Sequence, residues 1–547
     1  MFTSGLSVNK IKPAMTTLTL DIETTGLDVN KDRILCVGIK NGNSETEVFG
    51  LDDFLHHTIY PPDMVIGHNV GFDLKFLNKA GTYFTGKLFD TKIASQYVNP
   101  NESHRLKDLA EKYLGEQDVM RRKTLIGSGK TKRRMEDIPF EELAEYCKQD
   151  VDLTYKLYSL WKDIPNFFLH EVELRLIPAV IAMELSGFKV DSDKISKLKF
   201  ELDHSKLWIE MRHPINLNSP KQLREYLINK GYSKELSNYV TSGQVPSTNK
   251  LALKSIVKRV PIAKEILKYR EVAKLLSTYV TPMSSTDIWQ GSFNQVGTKT
   301  GRFSSSKPNL QNIPARTELG KRVRECLLPV VGNKFIVSDL SQIEPRLYAF
   351  FSQDKQLLDV FRTNNDFHSR VTESIYKTKA FTKEQRFVGK TVGLATLYGA
   401  SVSKLKETLL QYDVDVSWSE ITKIKNSILQ GFPDALVWSR KYEKDTERLG
   451  KVVTLLKREI PYYSGMNCTN TLIQGSCADI LKVCLLNLYL AGFNIIATVH
   501  DEVVISYDES TQPDAVSEVQ SIMQRSIRLE GVPILADTKV CLNWGQK

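Results

Sequence analysis

Eleven residues constrain this chain more than any others: Ile495-Ile496-Ala497-Thr498-Val499-His500-Asp501-Glu502-Val503-Val504-Ile505. Two apolar arms flank a polar tip, the pattern of a strand pair whose body is buried. A second apolar strand, Phe335-Ile336-Val337-Ser338, also ends on an acid, Asp339. A buried hairpin does not keep Asp501 and Glu502 at its tip without compensation, because a carboxylate removed from water needs a positive partner. Paired, Asp339 and Asp501 make the kind of oxygen site that holds two divalent cations for phosphoryl transfer.

The N-terminal part carries another acid set. Asp21-Ile22-Glu23 closes the strand-like Thr17–Ile22, and residues two apart share one face of a strand. Asn69 and Asp73 follow in His68-Asn69-Val70-Gly71-Phe72-Asp73, and Tyr146 and Asp150 in Tyr146-Cys147-Lys148-Gln149-Asp150. On a helix the last two face one point. Asp21-x-Glu23 alone is explained by surface acids at a turn. The ordered set is not, since four carboxylates without matching bases repel, and divalent cations resolve that repulsion most cheaply. Hard oxygen ligands and a phosphate substrate favour Mg²⁺ or Mn²⁺, two of which would activate a water and stabilise a leaving oxygen.

Between the two C-terminal acid strands, Arg386, Lys390, Leu394 and Tyr398 recur every four residues on one helical strip. Two cations, an apolar side chain and an aromatic suit the phosphates, sugar and base of a nucleoside triphosphate. A core-facing helix with two exposed bases explains the strip equally well. A basic run, Arg121-Arg122-Lys123 with Lys130-Thr131-Lys132-Arg133-Arg134, is either a solvated loop or a phosphate-contacting one, and the two readings weigh alike. It is not a nucleotide P-loop, because Thr124 stands where the motif needs glycine.

At 547 residues the chain predicts about three to five domains. Its 41% apolar and 25% charged content excludes wholesale disorder. A net charge of +10 fits a polyanionic partner. Seven cysteines without a CxxC pair argue against structural zinc and for a reducing, cytoplasmic setting. No run of about 18 apolar residues is evident, so no membrane span is expected. Arg33–Lys40 reads as a second strand, a helical pattern begins over Phe72–Leu77, and residues 171–187 are apolar and helical. Residues 190–285 read as an elongated helical domain with little core of its own, and Thr382 to Leu449 as a long helical region.

Taken in order, these segments resemble a family A DNA polymerase with the exonuclease–polymerase layout of a large fragment, of bacteriophage type. Residues 16–160 resemble the proofreading 3′–5′ exonucleases with the acid set Asp21, Glu23, Asp73 and Asp150 and the tyrosine variant at Tyr146. Tyr269-Arg270 with Lys274, Thr300-Gly301-Arg302-Phe303-Ser304-Ser305, Pro308-Asn309-Leu310-Gln311-Asn312-Ile313-Pro314, Asp339-Leu340-Ser341-Gln342-Ile343-Glu344, Arg386 to Gly399, Asn470 with Ile473-Gln474-Gly475, and Val499-His500-Asp501-Glu502 carry the polymerase part. The resemblance implies an α/β multidomain protein: a ribonuclease H-like exonuclease over 1–165 with a loose leader at 1–14, connector and thumb over 166–290, palm over 291–380 and 461–547, and fingers over 381–460.

It further implies that Asp21, Glu23, Asp73 and Asp150 hold one pair of Mg²⁺ ions and that Tyr146 positions the attacking water. Asp339, Asp501 and the Leu340 carbonyl would hold another pair, with Mn²⁺ as a substitute. Arg386, Lys390, His368, Gln342, Leu394 and Tyr398 would bind the nucleotide, Lys390 also protonating pyrophosphate, with Glu344 excluding a ribose 2′-hydroxyl. Arg302 and Gln474 would read minor-groove acceptors, and Asn470, His500, Asn312 and Lys274 would contact DNA. The implied partners are primer–template DNA and dNTPs, with separate helicase, primase and single-strand-binding proteins, and the chain would act as a monomer without a membrane. The competing reading is a nuclease whose polymerase half only holds DNA. Some positions depart from the family pattern: Leu394 for an aromatic, Gly393 for Asn, Leu340 for Tyr, Pro345 for Leu, Met466 for Arg and Lys457 for Gly.

Overall fold

The computed structural model describes residues 15–129, 132–237, 239–240, 243–315 and 317–547. The expected leader at 1–14 and Lys130-Thr131 of the basic run lie outside the described residues. The chain divides into two compact units, the first reaching Ile181 and the second running Ala182–Lys547.

The first unit is built on a five-stranded sheet in the order β3-β2-β1-β4-β5, formed by β1 (Thr17–Thr24), β2 (Ile34–Asn41), β3 (Glu47–Phe49), β4 (Met64–Gly67) and β5 (Lys87–Asp90). Central β1 runs antiparallel to β2 and parallel to β4. Its alternation explains the site above it: Leu20 and Ile22 are buried while Asp21 and Glu23 are half-buried on the other face. The Phe140–Trp161 helix crosses this face. Gly38 of β2 makes the approach possible, since a Cβ there would lie 2.8 Å from Cys147 Sγ and 2.9 Å from Val151. The same turn of helix thereby brings Tyr146 and Asp150 over the acids of β1.

The second unit holds a four-stranded antiparallel sheet ordered β7-β8-β6-β9: β6 (Lys334–Leu340), β7 (Asn494–Val499), β8 (Glu502–Tyr507) and β9 (Ala536–Cys541). β8 is buried along its whole length, Glu502 and Ser506 included. Asp339 pairs across the ladder with Glu502 on one side and Asp537 on the other. The Cys468–Leu490 helix is long and apolar enough to cross a membrane by composition, although no uninterrupted apolar run marks it. In the fold, 83% of its apolar window is buried inside the protein.

One expectation needs correction. Residues 190–285 do have their own core: Ile209, Leu223, Leu227, Leu253, Ile256 and Ile266 converge with at most 3% exposure. Each contributing helix supplies only one to three buried residues, so no single stripe stands out; the long helix Ser192–Arg212 has just four buried residues in 21 and gives only Ile209 to this core. The long helical region is four helices, Lys383–Leu397, Val402–Leu410, Trp418–Gly431 and Pro433–Leu449. Gly399 and Asp413 turn the chain at positive φ (81° and 64°), and Pro433 starts the last helix. The first of these helices lies close on Phe367–Tyr376: a Cβ on Gly389 would meet Thr372 Oγ1 at 2.3 Å, and one on Gly393 would meet Val371 at 3.0 Å. Close packing thus accounts for Gly393, one of the departures from the family pattern.

Candidate active sites

In the first unit, oxygens of Asp21, Glu23 and Asp150 lie within 4.8 Å of one another. Asp73, in the first turn of the Val70–Lys79 helix, is set beside them and accepts a hydrogen bond from the Ile22 backbone N–H at 3.2 Å. Burial, joined by the neighbouring carboxylates, pushes Asp21 and Glu23 well above the usual carboxylate range. Burial likewise raises Asp73, and raises Asp150 against the pull of Lys107. Burial and the same acids raise the Tyr146 phenol, which keeps it neutral. Carboxylates that are hard to ionise for want of positive charge, offering only oxygen donors, fit a hard divalent cation.

Sequence reasoning misses Lys107, which is 8% exposed. Its ammonium bonds Asp150 Oδ1 and donates to Gln149 Oε1 at 3.0 Å. It also lies 4.7 Å from the Tyr146 ring centroid. A lysine 43 residues from its partner leaves no signal in spacing.

The described part of the basic run makes ion pairs and also borders a cavity. Arg121 pairs with Asp108 at 2.8 Å, Arg133 with Glu142 at 2.9 Å and Arg134 with Asp137 at 3.0 Å, as in a solvated loop. Arg122, Lys132, Arg133 and Arg134 also line a cavity of about 780 Å³, together with Lys31 and Arg33. Arg122 is near enough for its charge to act on Glu23 and Tyr146.

In the second unit the turn between β7 and β8 carries His500 at φ 57° and Asp501. The Leu340 N–H donates to the Asp501 carbonyl at 3.1 Å, which ties the end of β6 to that turn. Burial, then the Glu344 and Asp339 carboxylates, push Asp501 up to about 6, against the pull of Arg302 and Lys547. Arg302 Nη2 lies 2.6 Å from Glu344 Oε1 and 3.8 Å from Asp501. Tyr398 donates its hydroxyl to the other Glu344 oxygen at 3.0 Å. Lys547, which no sequence argument singles out, places its ammonium 2.7 Å from Asp339 Oδ2 and in contact with Glu502. Trp544 steadies that end by donating to Glu502 Oε1 at 2.9 Å and stacking on Phe188.

The helical strip divides. Lys390 is exposed, and Leu394 and Tyr398 are half-buried. Arg386 is held by Asp366 at 2.8 Å. His368, beside it, is driven down to about 4 by burial, and by the Lys390 and Arg386 charges against the opposing pull of Asp366. Gln342, at φ 51°, accepts from the Phe367 N–H at 2.9 Å. Asn470 and Gln474 are half-buried on the Cys468–Leu490 helix, while Asn312 and Lys274 are exposed. Arg458 bonds Asp479 at 2.9 Å and the Thr300 carbonyl at 2.6 Å, which locks the turn before Arg302. Lys457 sits at φ 65°, the left-handed conformation for which glycine is suited, so its departure from the family pattern carries backbone strain.

Comparison with known proteins gives the following. The sequence model described as DNA polymerase family A matches residues 192–546, and that of 3′–5′ exonuclease matches residues 7–164. DNA polymerase I of Synechocystis is 30% identical over 542 residues, covering 90% of this chain and 54% of that protein. DNA polymerase I of Aquifex aeolicus is 28% identical over 565 residues, covering 96% of this chain and 94% of that protein. The chain thus spans about half the length of several relatives it matches, and nearly all of the Aquifex one. The solved structure described as the POL domain of Pol1 from M. smegmatis, in complex with DNA primer-template and dNTP, superposes with a TM-score of 0.81 at 23% identity, covering 97% of this chain and 96% of that one.

Proposed function

Since the chain belongs to DNA polymerase family A, we propose that it copies a DNA template by adding deoxynucleotides to a primer 3′ end, and removes mispaired ends with a 3′–5′ exonuclease. One observation carries this reading: each compact unit gathers its own carboxylate cluster from distant segments, Asp21, Glu23, Asp73 and Asp150 in one, Asp339, Glu344 and Asp501 in the other. We assign palm to 291–380 and 461–547, fingers to 381–460 and thumb to the latter part of 166–290.

In the polymerase unit, Asp339, Asp501 and the Leu340 carbonyl face the primer end. They would hold divalent cations, two Mg²⁺ per site with Mn²⁺ as substitute, which would supply Lewis acidity and positive charge for phosphoryl transfer. Arg386 and Lys390 receive the triphosphate; Asp366 holds the Arg386 guanidinium in place until then. His368, neutral at pH 7, donates to the phosphates without adding charge. Glu344, held on both oxygens by Arg302 and Tyr398, is a stiff wall against a ribose 2′-hydroxyl. Leu394 packs on the sugar. Arg302, Gln474, Asn470, His500, Asn312 and Lys274 touch primer and template. In the exonuclease unit, Asp21, Glu23, Asp73 and Asp150 hold the cations and neutral Tyr146 orients the water. The working partners are primer–template and dNTPs, with helicase, primase and single-strand-binding functions on other chains. The protein acts as a monomer in the cytoplasm.

The test is a 5′-labelled primer annealed to a longer template. Lengthening with dNTPs and shortening without them is the expected result. Shortening under both conditions would leave only a nuclease.

A further inference from the structure

Lys107 stands in the first turn of the Leu106–Leu114 helix, buried among groups the exonuclease chemistry needs. Its three neighbours are Tyr146, Gln149 and Asp150, spaced as one turn of the Phe140–Trp161 helix. One ammonium therefore clamps the turn that presents both functional side chains. Asp150 at the same time offers an oxygen to the cluster with Asp21 and Glu23. Gln149 carries the link outward: its Oε1 accepts from the Met120 N–H at 2.7 Å and its amide donates to the Asp118 carbonyl at 3.2 Å. That segment leads directly into the basic run.

A buried ammonium is a costly way to hold a helix in place, since an amide or an apolar side chain needs no desolvation of charge. What only the cation adds is its field. It draws Asp150 to a fixed aim, and it repels any further cation brought to the same carboxylate. These two effects act in opposite directions on metal affinity and on turnover.

We propose that Lys107 is a positioning residue of the exonuclease centre, acting through Asp150 and Tyr146: its ammonium aims both groups and holds the cluster's affinity for divalent cations below what the carboxylates alone would give. The proposal rests on the exonuclease reading of the first unit.

The experiment compares the full-length chain with Lys107→Met, which keeps length and removes charge, and Lys107→Arg, which keeps charge. Mn²⁺ binding is followed by the loss of the free-ion paramagnetic signal, and the binding abolished by Asp21→Ala is assigned to this cluster. Degradation of a 5′-labelled single-stranded oligonucleotide at saturating Mn²⁺ gives kcat and KM. Lys107→Met is expected to bind Mn²⁺ on the order of tenfold more tightly, the scale of one charge's repulsion at close range. Its kcat is expected to fall about tenfold or more, the cost of misaimed groups, with KM little changed. Lys107→Arg, which keeps the charge, should bind Mn²⁺ within about threefold of the parent.

Opposed movement of affinity and rate is a result a merely structural lysine does not produce. If Lys107→Met binds Mn²⁺ more weakly and also turns over more slowly, the residue only holds the site together and the proposal is wrong. No change in either measure overturns it as well. A parent chain that degrades nothing overturns the exonuclease reading, and the Mn²⁺ measurement still decides the claim about charge.

Discussion

Replacing Asp501 by Asn in the metal-free chain should make the second unit more stable at pH 8. Burial, with Glu344 and Asp339 close by, lifts this carboxyl from an ordinary 3.8 to about 6. Between those values the folded chain binds more protons than the unfolded one, so stability falls as pH rises through the window. Above about pH 6 the whole cost is present, and below about pH 4 it is absent. A displacement of that size is worth about 3 kcal/mol. A gain of about 3 kcal/mol at pH 8 follows, because the shift already includes the opposing pull of Arg302 and Lys547, seen as a rise of about 2–5 °C in the unfolding temperature of that unit. The assay is calorimetry in chelator at pH 8, 6 and 4.5. The gain should shrink toward pH 4.5, and saturating Mg²⁺ should reverse the order, because the cation stabilises only the chain that binds it. A gain that is absent at pH 8, or that grows on acidification, would refute the electrostatic reasoning.

Lys457→Gly should relieve the left-handed backbone at φ 65° and raise stability by up to about 1 kcal/mol, read from denaturant midpoints; a loss would mean the lysine side chain earns its strained place. Leu394→Tyr should raise dideoxynucleotide use relative to deoxynucleotide use by about tenfold to a hundredfold, since tyrosine brings a ring face and a hydroxyl donor where the half-buried leucine has neither. Single-nucleotide insertion kinetics measure this, and equal ratios in the two proteins defeat it.

The acid strands were legible because their chemistry is local. An apolar strand that stops on a carboxylate, as at Asp339, or alternates buried and acidic residues, as over Asp21-Ile22-Glu23, declares its face in a few residues. The motif order supplied the rest of the fold, including the strip from Arg386 to Tyr398. What escaped was the positive half of each site. Lys107 meets Asp150 across 43 residues and Lys547 meets Asp339 across 208, and no periodicity links such pairs. The core beneath residues 190–285 escaped for a related reason: it is assembled from Leu223, Leu253 and Ile266 on separate short helices, none amphipathic over enough turns to announce a shared interior. Arg386 shows the remaining gap, since its place on the strip was readable but its hold by Asp366 was not.

Two acid clusters are proposed to do two different jobs. Asp501→Ala and Asp21→Ala, assayed side by side on one labelled primer–template, test that most directly. Asp501→Ala should abolish extension and leave degradation within about twofold of the parent, while Asp21→Ala should do the reverse, each loss about a thousandfold as expected when a metal-binding carboxylate is removed from a phosphoryl-transfer site. Loss of both activities in either variant, with folding intact, would contradict the division of labour.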